Sequence, residues 1–277
     1  MKAAGKLADG TVVSSSIPLM YHVCWDFFTF VWASPSAYNG GFVWLNEIQF
    51  GTERGRLNDG CGSMVVSSRN PQANGEYGTG FTRHLSFEGA YYDNTKKLSD
   101  YYAAMRLSMD DVPAIRYNRK VTYFDENNKK KTVTVADEAS ATDTLWQDGL
   151  VATVSAKGAF VVTKATKPIQ DKETKDWSYE GVNDGAMTLS FAQATGIVKG
   201  TYTFWYDYLS AYDEITGKET KAHVSKKVSF EGIRVQGAEG MRGFYLWDAT
   251  GAYEDPKTGK PKTYKYKESH AVSLTAQ

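Results

Sequence analysis

The chain has 277 residues, of which 42% are hydrophobic and 14% aromatic, with 32 basic and 32 acidic side chains. That apolar fraction suffices for a core and excludes global disorder, and the balanced charge excludes the basic footprint of a nucleic-acid binder. No run approaches the roughly 18 apolar residues of a membrane-spanning helix, so membrane insertion is not expected.

Strand and turn punctuation runs along the whole chain. In "GKLADGTVVSSSIPL", Asp9-Gly10 marks a tight hairpin. "CWDFFTFVW" and "FVWLNEIQF" are aromatic strands joined through Asn39-Gly40, and they lack a clean polar face before Glu47. Such strands are buried on both sides for part of their length. Asp59-Gly60 predicts a further turn, and "GTGFTRHLSFEGAYYD" alternates Phe81, Arg83, Leu85 and Phe87 with Thr82, His84, Ser86 and Glu88.

Between residues 95 and 120, Leu98, Tyr101, Tyr102 and Met105 fall at helical spacing, with Ser99 and Asp100 near the start and Pro113 at the end. A short helix near 97–107 competes there with an extended crossover. "KVTYFDENNKKKTVTVAD" is a hairpin with Lys129–Lys131 at its solvated tip, and "DGLVATVSAKGAFVVTKA" turns near Lys157-Gly158. Residues 166–186 are polar and predict an exposed loop or an inserted hairpin. The closing third holds the strands "MTLSF", "GIVKGTYTFWYDYL", "HVSKKVSFEGIRVQG", "GFYLWDA" and "ESHAVSL". Charged excursions at 210–222 and 250–268 interrupt it, each with a Thr-Gly-Lys turn.

Helices do not alternate with strands, which argues against a parallel sheet. The expected fold class is all-β: an antiparallel β-barrel or barrel-like sandwich of about ten or more strands, which manages exposed edges by closure. A single domain over 1–277 is expected, and two β subdomains over 1–94 and 95–277 are the alternative.

No G-x-S-x-G elbow, P-loop or dinucleotide fingerprint is present. Cys24 and Cys61 are one disulfide or two buried thiols, and the scattered His22, His84, His223 and His270 do not form a zinc pattern. The acidic stretches at 125–127, 183–185 and 213–219 are ordinary turn chemistry before they are calcium ligands, so no metal and no cofactor is assigned.

Four pieces in order, "GKLADGTVVSSSIPL", "GEYGTGFTRHLSFEGAYYD", "MTLSFAQATGIVKGTYTF" and "VSFEGIRVQGAEGMRGFYLWDATG" with "AVSL" closing, carry a resemblance. The order resembles a β-barrel module of large secreted or surface proteins from planctomycete- and verrucomicrobial-type bacteria. The resemblance covers nearly the whole chain and rests on turn and strand motifs. It implies a scaffold without established chemistry, an extracellular or cell-surface location, and neighbouring domains of a larger parent protein. "MKAAGKLADGT" has no apolar core of a signal peptide, so the chain is expected to be a mature form or an excised fragment. In an exported protein a Cys24–Cys61 disulfide is plausible chemistry. The 210–222 and 250–268 hairpins exceed the module's usual length, and loops on a scaffold are where a specialised role resides.

Aromatic platforms are the leading functional signal, because sugar C–H faces stack on Trp and Tyr. Thr201, Thr203, Trp205 and Asp207 share one side of their strand, and Tyr202, Phe204, Tyr206 and Tyr208 the other. Trp is buried on average, so core and platform compete for each indole. The expected function is a non-catalytic polysaccharide-binding or structural module contacting its ligand through Trp205, Asp207, Tyr208 and Trp247, with Asp207 anchoring a sugar hydroxyl. A hydrolase using two of Asp26, Glu47, Asp207 and Asp248 is one alternative, since glycoside hydrolysis needs two facing carboxylates. A ligand-free assembly or spacer module is the other.

Overall fold

Period-two alternation of apolar and polar side chains folds the chain into strands joined by short turns. The computed structural model describes residues 2–6, 12–16, 20–21, 28–33, 42–48, 57–66, 81–89, 92–109, 111–142, 149–179, 181–235, 239–255 and 257–277, with side chains mainly from Tyr92 onward.

The first hairpin pairs β1 (Lys2–Lys6) with β2 (Val12–Ser16), placing Lys6 opposite Val12 with Asp9-Gly10 in the connection. A five-stranded antiparallel meander follows, in the order β3 (Met20–Tyr21), β4 (Phe28–Ala33), β5 (Phe42–Ile48), β6 (Leu57–Val66) and β7 (Phe81–Gly89). The turn expected at Asp59-Gly60 is corrected. Both residues lie inside β6, where its register with β7 shifts between Leu57 and Gly60. The extra residue is absorbed as a bulge, which suits a glycine.

The remaining strands are β8 (Ala104–Met109), β9 (Ile115–Phe124), β10 (Lys130–Ala139), β11 (Leu150–Val154) and β12 (Phe160–Val161). After a small hairpin of β13 (Ile169–Gln170) and β14 (Trp177–Ser178) come β15 (Thr188–Ala192) and β16 (Ile197–Asp213). β17 (Lys218–Arg234), β18 (Gly240–Glu254) and β19 (Pro261–Ala276) close the chain. A ten-stranded sheet runs β10-β9-β16-β17-β18-β19-β8-β11-β12, with β15 also on β16. It curls into a half-barrel in which β12 approaches β15. The fold is all-β, as expected. Its pairing is antiparallel apart from Ala211–Asp213 of β16, which runs parallel to Lys120–Thr122 of β9.

Helical spacing near residue 100 produces only a 3-10 turn at Leu98–Asp100. Met105, Leu107 and Met109 then point inward from β8 at period two. Leu98, Tyr102 and Met105 are all buried, so a turn joined to a strand generates the same apolar spacing as a helix.

The core fills the concave side. Val198, Tyr202, Phe204 and Tyr206 enter it from β16, Val228 and Phe230 from β17, Met241 and Tyr245 from β18, and Val272 and Leu274 from β19. Burying each such large side chain contributes about 1.5–3 kcal/mol. The buried tyrosines keep their hydroxyls satisfied: Tyr206 donates to the Pro113 carbonyl at 2.9 Å and Tyr245 to the Asp111 carbonyl at 3.4 Å.

β16 and β17 stay paired from Ile197–Ile233 out to Asp213–Lys218, but β17 pairs with β18 only over Phe230–Arg234 and Met241–Tyr245. Beyond that contact the strands part into two hairpin arms, and the β16–β17 arm keeps β9 beside it along Ala211–Asp213. The excursions at 210–222 and 250–268 are therefore continuations of core strands.

Candidate functional site

One irregularity sets up the site. The β16–β17 register shifts between Leu209 and Ala211, so Asp207 pairs with His223 across the arm. Both stand on the same face of the strand pair as Trp205, opposite the inward row of Phe204 and Tyr206. Asp207 Oδ1 and His223 Nδ1 lie 2.6 Å apart, within hydrogen-bond distance across the arm. The other oxygen, Oδ2, accepts from the Tyr179 hydroxyl at 2.6 Å and from Thr142 Oγ1 at 3.1 Å.

The imidazole so fixed lies between two indoles. Its ring is 3.7 Å from Trp177 at 10° and 4.6 Å from Trp205 at 11°, centroid to centroid. Aromatic ring pairs contribute about 0.5–1.5 kcal/mol each beyond their buried area. Trp205 is the inner leaf, and its Nε1 donates to the Asp184 carbonyl at 3.0 Å. Trp177 is the outer leaf.

Trp177 reaches this place on the β13–β14 hairpin. Asp171 Oδ1 accepts from the Glu173 and Thr174 amides at 2.7 and 2.8 Å and builds the turn. The bond from Thr174, then that from Glu173, hold its carboxyl below the usual range. Lys221 of β17 binds Asp176 across the hairpin, and their mutual hydrogen bond lowers the Asp176 pKa and raises that of Lys221. From the other side, Asn183 is 1% exposed and ties the segment down. Its Nδ2 donates to the carbonyls of Thr163 at 2.8 Å and Met187 at 3.3 Å, and its Oδ1 accepts from the Met187 amide at 2.7 Å. Asn183 and Asp184 are buried, so the polar 166–186 segment is a solvent hairpin with a buried anchor.

A groove of about 360 Å³ opens beside Trp177, lined also by Lys175, Asp176, Asp207, Tyr208, Glu219 and Lys221. That volume falls in the range of small-ligand sites, about 300–1,000 Å³. A second opening of about 510 Å³ lies where β17 and β18 part, with Tyr117, Tyr208 and Trp247 among its walls.

The four residues expected to contact ligand thus divide. Asp207 and Tyr208 line the Trp177 groove, Tyr208 and Trp247 line the second opening, and Trp205 borders neither. Asp207 is committed to His223, Tyr179 and Thr142, so its first task is holding the imidazole. Trp247 is 9% exposed and packs on Phe204 and Tyr206, because it shares the inward row of β18 with Tyr245.

Of the expected carboxylates, Asp207 and Asp248 line different openings, and Asp248 is paired with Lys267. Asp26 and Cys24 lie outside the described residues, and Glu47 and Cys61 lie on β5 and β6, whose side chains are not described. Among the described residues no group of three or more His, Cys, Asp or Glu could hold a metal, and no helix is long and apolar enough to cross a membrane. Sequence reasoning missed Trp177, Tyr179, His223 and Thr142. Comparison with protein-family models, with curated proteins and with solved structures gave no match.

Proposed function

We propose that the chain is a non-catalytic binding module of an exported bacterial surface protein, and that its ligand is polysaccharide, taken in the groove beside Trp177. One observation carries this reading. A tryptophan held rigid by the His223 stack stands at the wall of an open groove whose other walls are charged. An indole offers an apolar body to a sugar C–H face, and polar groups around it fix orientation. Lys175 and Glu219 stand in the same wall and offer a donor and an acceptor to neighbouring hydroxyls. Export and membership of a larger parent protein rest on the resemblance of the hairpin order to the secreted β-barrel module.

Pull-down on a panel of insoluble polysaccharides, with a glycan array beside it, tests the reading. The parent chain should be retained on at least one glycan, and Trp177→Ala should lose that retention while keeping its far-UV circular dichroism. Absence of retention on every glycan, or equal retention of a folded Trp177→Ala, overturns it.

A further inference from the structure

The opening between the two arms has a different character. Three consecutive residues of β17, Lys226 to Val228, and five of β18, Leu246 to Thr250, form two of its sides, and Pro113 to Tyr117 form a third. Consecutive residues of a strand face opposite ways, so an opening lined by runs of them is bounded by strand edges. Among the described residues β17 pairs only with β16 over 218–229, and β18 only with β19 over 246–254. Those edges carry unpaired backbone donors and acceptors, which is the template for adding a strand.

The aromatic groups here offer little to a sugar. Tyr117 and Tyr208 pack on each other at 3.9 Å, and Trp247 is buried. Charge is more informative. On the acidic side Asp248 is engaged by Lys267, and Glu268 lies 3.6 Å from His270. Lys226 and Lys227 are exposed and have no ion pair among the described residues. The same edge also carries Lys218 and Lys221, so two copies pairing through it would set lysine against lysine. Like charges across a pair of strands are destabilising.

We propose that this slot takes an extended acidic peptide segment of another protein, which adds as a strand to the free edge of β17 with its carboxylates on Lys226 and Lys227. The lysines would then serve two ends: they block self-pairing and select an acidic strand.

The test uses the full chain and fluorescence anisotropy with a labelled peptide of about ten residues, the length of a long strand, repeating Val-Val-Glu-Glu so that glutamates stand on both faces of the added strand. Two controls replace glutamate by lysine or methylate alternate backbone nitrogens. The glutamate peptide should bind, and each control should bind at least about tenfold more weakly, a loss of about 1.4 kcal/mol. The exposed double variant Lys226→Glu, Lys227→Glu should reverse the preference between glutamate and lysine peptides. The proposal is overturned by failure of the glutamate peptide to bind, by equal binding of the methylated peptide, or by an unchanged preference in the folded double variant. Two further outcomes also overturn it. Polygalacturonate binding that depends on the two lysines would make the slot a glycan subsite, and self-association lost in the double variant would make the occupant a second copy.

Discussion

His223 lies flat against Trp177, with ring centroids 3.7 Å apart and planes 10° from parallel, although the two residues come from separate hairpins. This contact joins the small β13–β14 hairpin to the arm. His223→Ala removes both stacks and the Asp207 contact and is expected to cost about 2 kcal/mol in urea unfolding, from two stacks and a charge-assisted hydrogen bond on a half-buried site. His223→Phe restores the stacks alone and should cost less. Equal losses would mean that the ring contacts contribute nothing.

Asn183 anchors the same hairpin from below. Asn183→Ala leaves the Met187 amide and the Thr163 carbonyl without their present partner. Each such loss in a buried place costs about 1–3 kcal/mol. A Tm drop is expected, together with weaker glycan retention, because Trp177 loses its fixed position. Asn183→Asp should be no better at neutral pH, since a carboxylate cannot donate to the Thr163 carbonyl.

Gly200 is required by proximity. A Cβ there would lie 2.2 Å from Phe230 Cζ and 2.5 Å from the Thr188 carbonyl oxygen. Gly200→Ala is expected to destabilise by about 1–3 kcal/mol, the usual range for overpacking. Adding Phe230→Leu should recover only part of the loss, because the Thr188 clash is with backbone. Full recovery would place the strain in the ring alone.

The turn of the β18–β19 arm has its own pH signature. Asp255 is held at a pKa of about 2, first by its hydrogen bond from Lys262 and then by the Lys257 amide. A carboxyl depressed in the folded state stabilises above its unfolded value, and the contribution fades as pH falls through the folded value. Asp255→Asn should therefore lower the Tm at neutral pH. The gap between variant and parent should narrow between about pH 4 and pH 2, and a constant gap would show that the charge is irrelevant.

How far the sequence reveals this arrangement can be judged strand by strand. The inward row of β16 follows from period two, as does the outward position of Trp205. Trp247 shares a row with Tyr245 and sits across the strand from Asp248, so its burial was already legible in that alternation. Trp177 was not, because β13 and β14 span only two residues each and carry no periodicity. Nor was the Asp207–His223 pair. Counting back from Asp213–Lys218 without an extra residue would set Val224 opposite Asp207, and the register shift beside Ser210 brings His223 there. A one-residue slip moves every side chain to the other face, and nothing in "LSAYDEITGKET" announces it.

β16 and β17 run unbroken from the core into the arm. A pull on the turn between Asp213 and Lys218, directed away from the half-barrel, places both strands under tension in the same sense. Their cross-links lie perpendicular to the strands and are neither sheared against each other nor peeled. Such a load passes along covalent backbone into the wall of the half-barrel, so a cargo gripped at the arm would be held by the strength of the core.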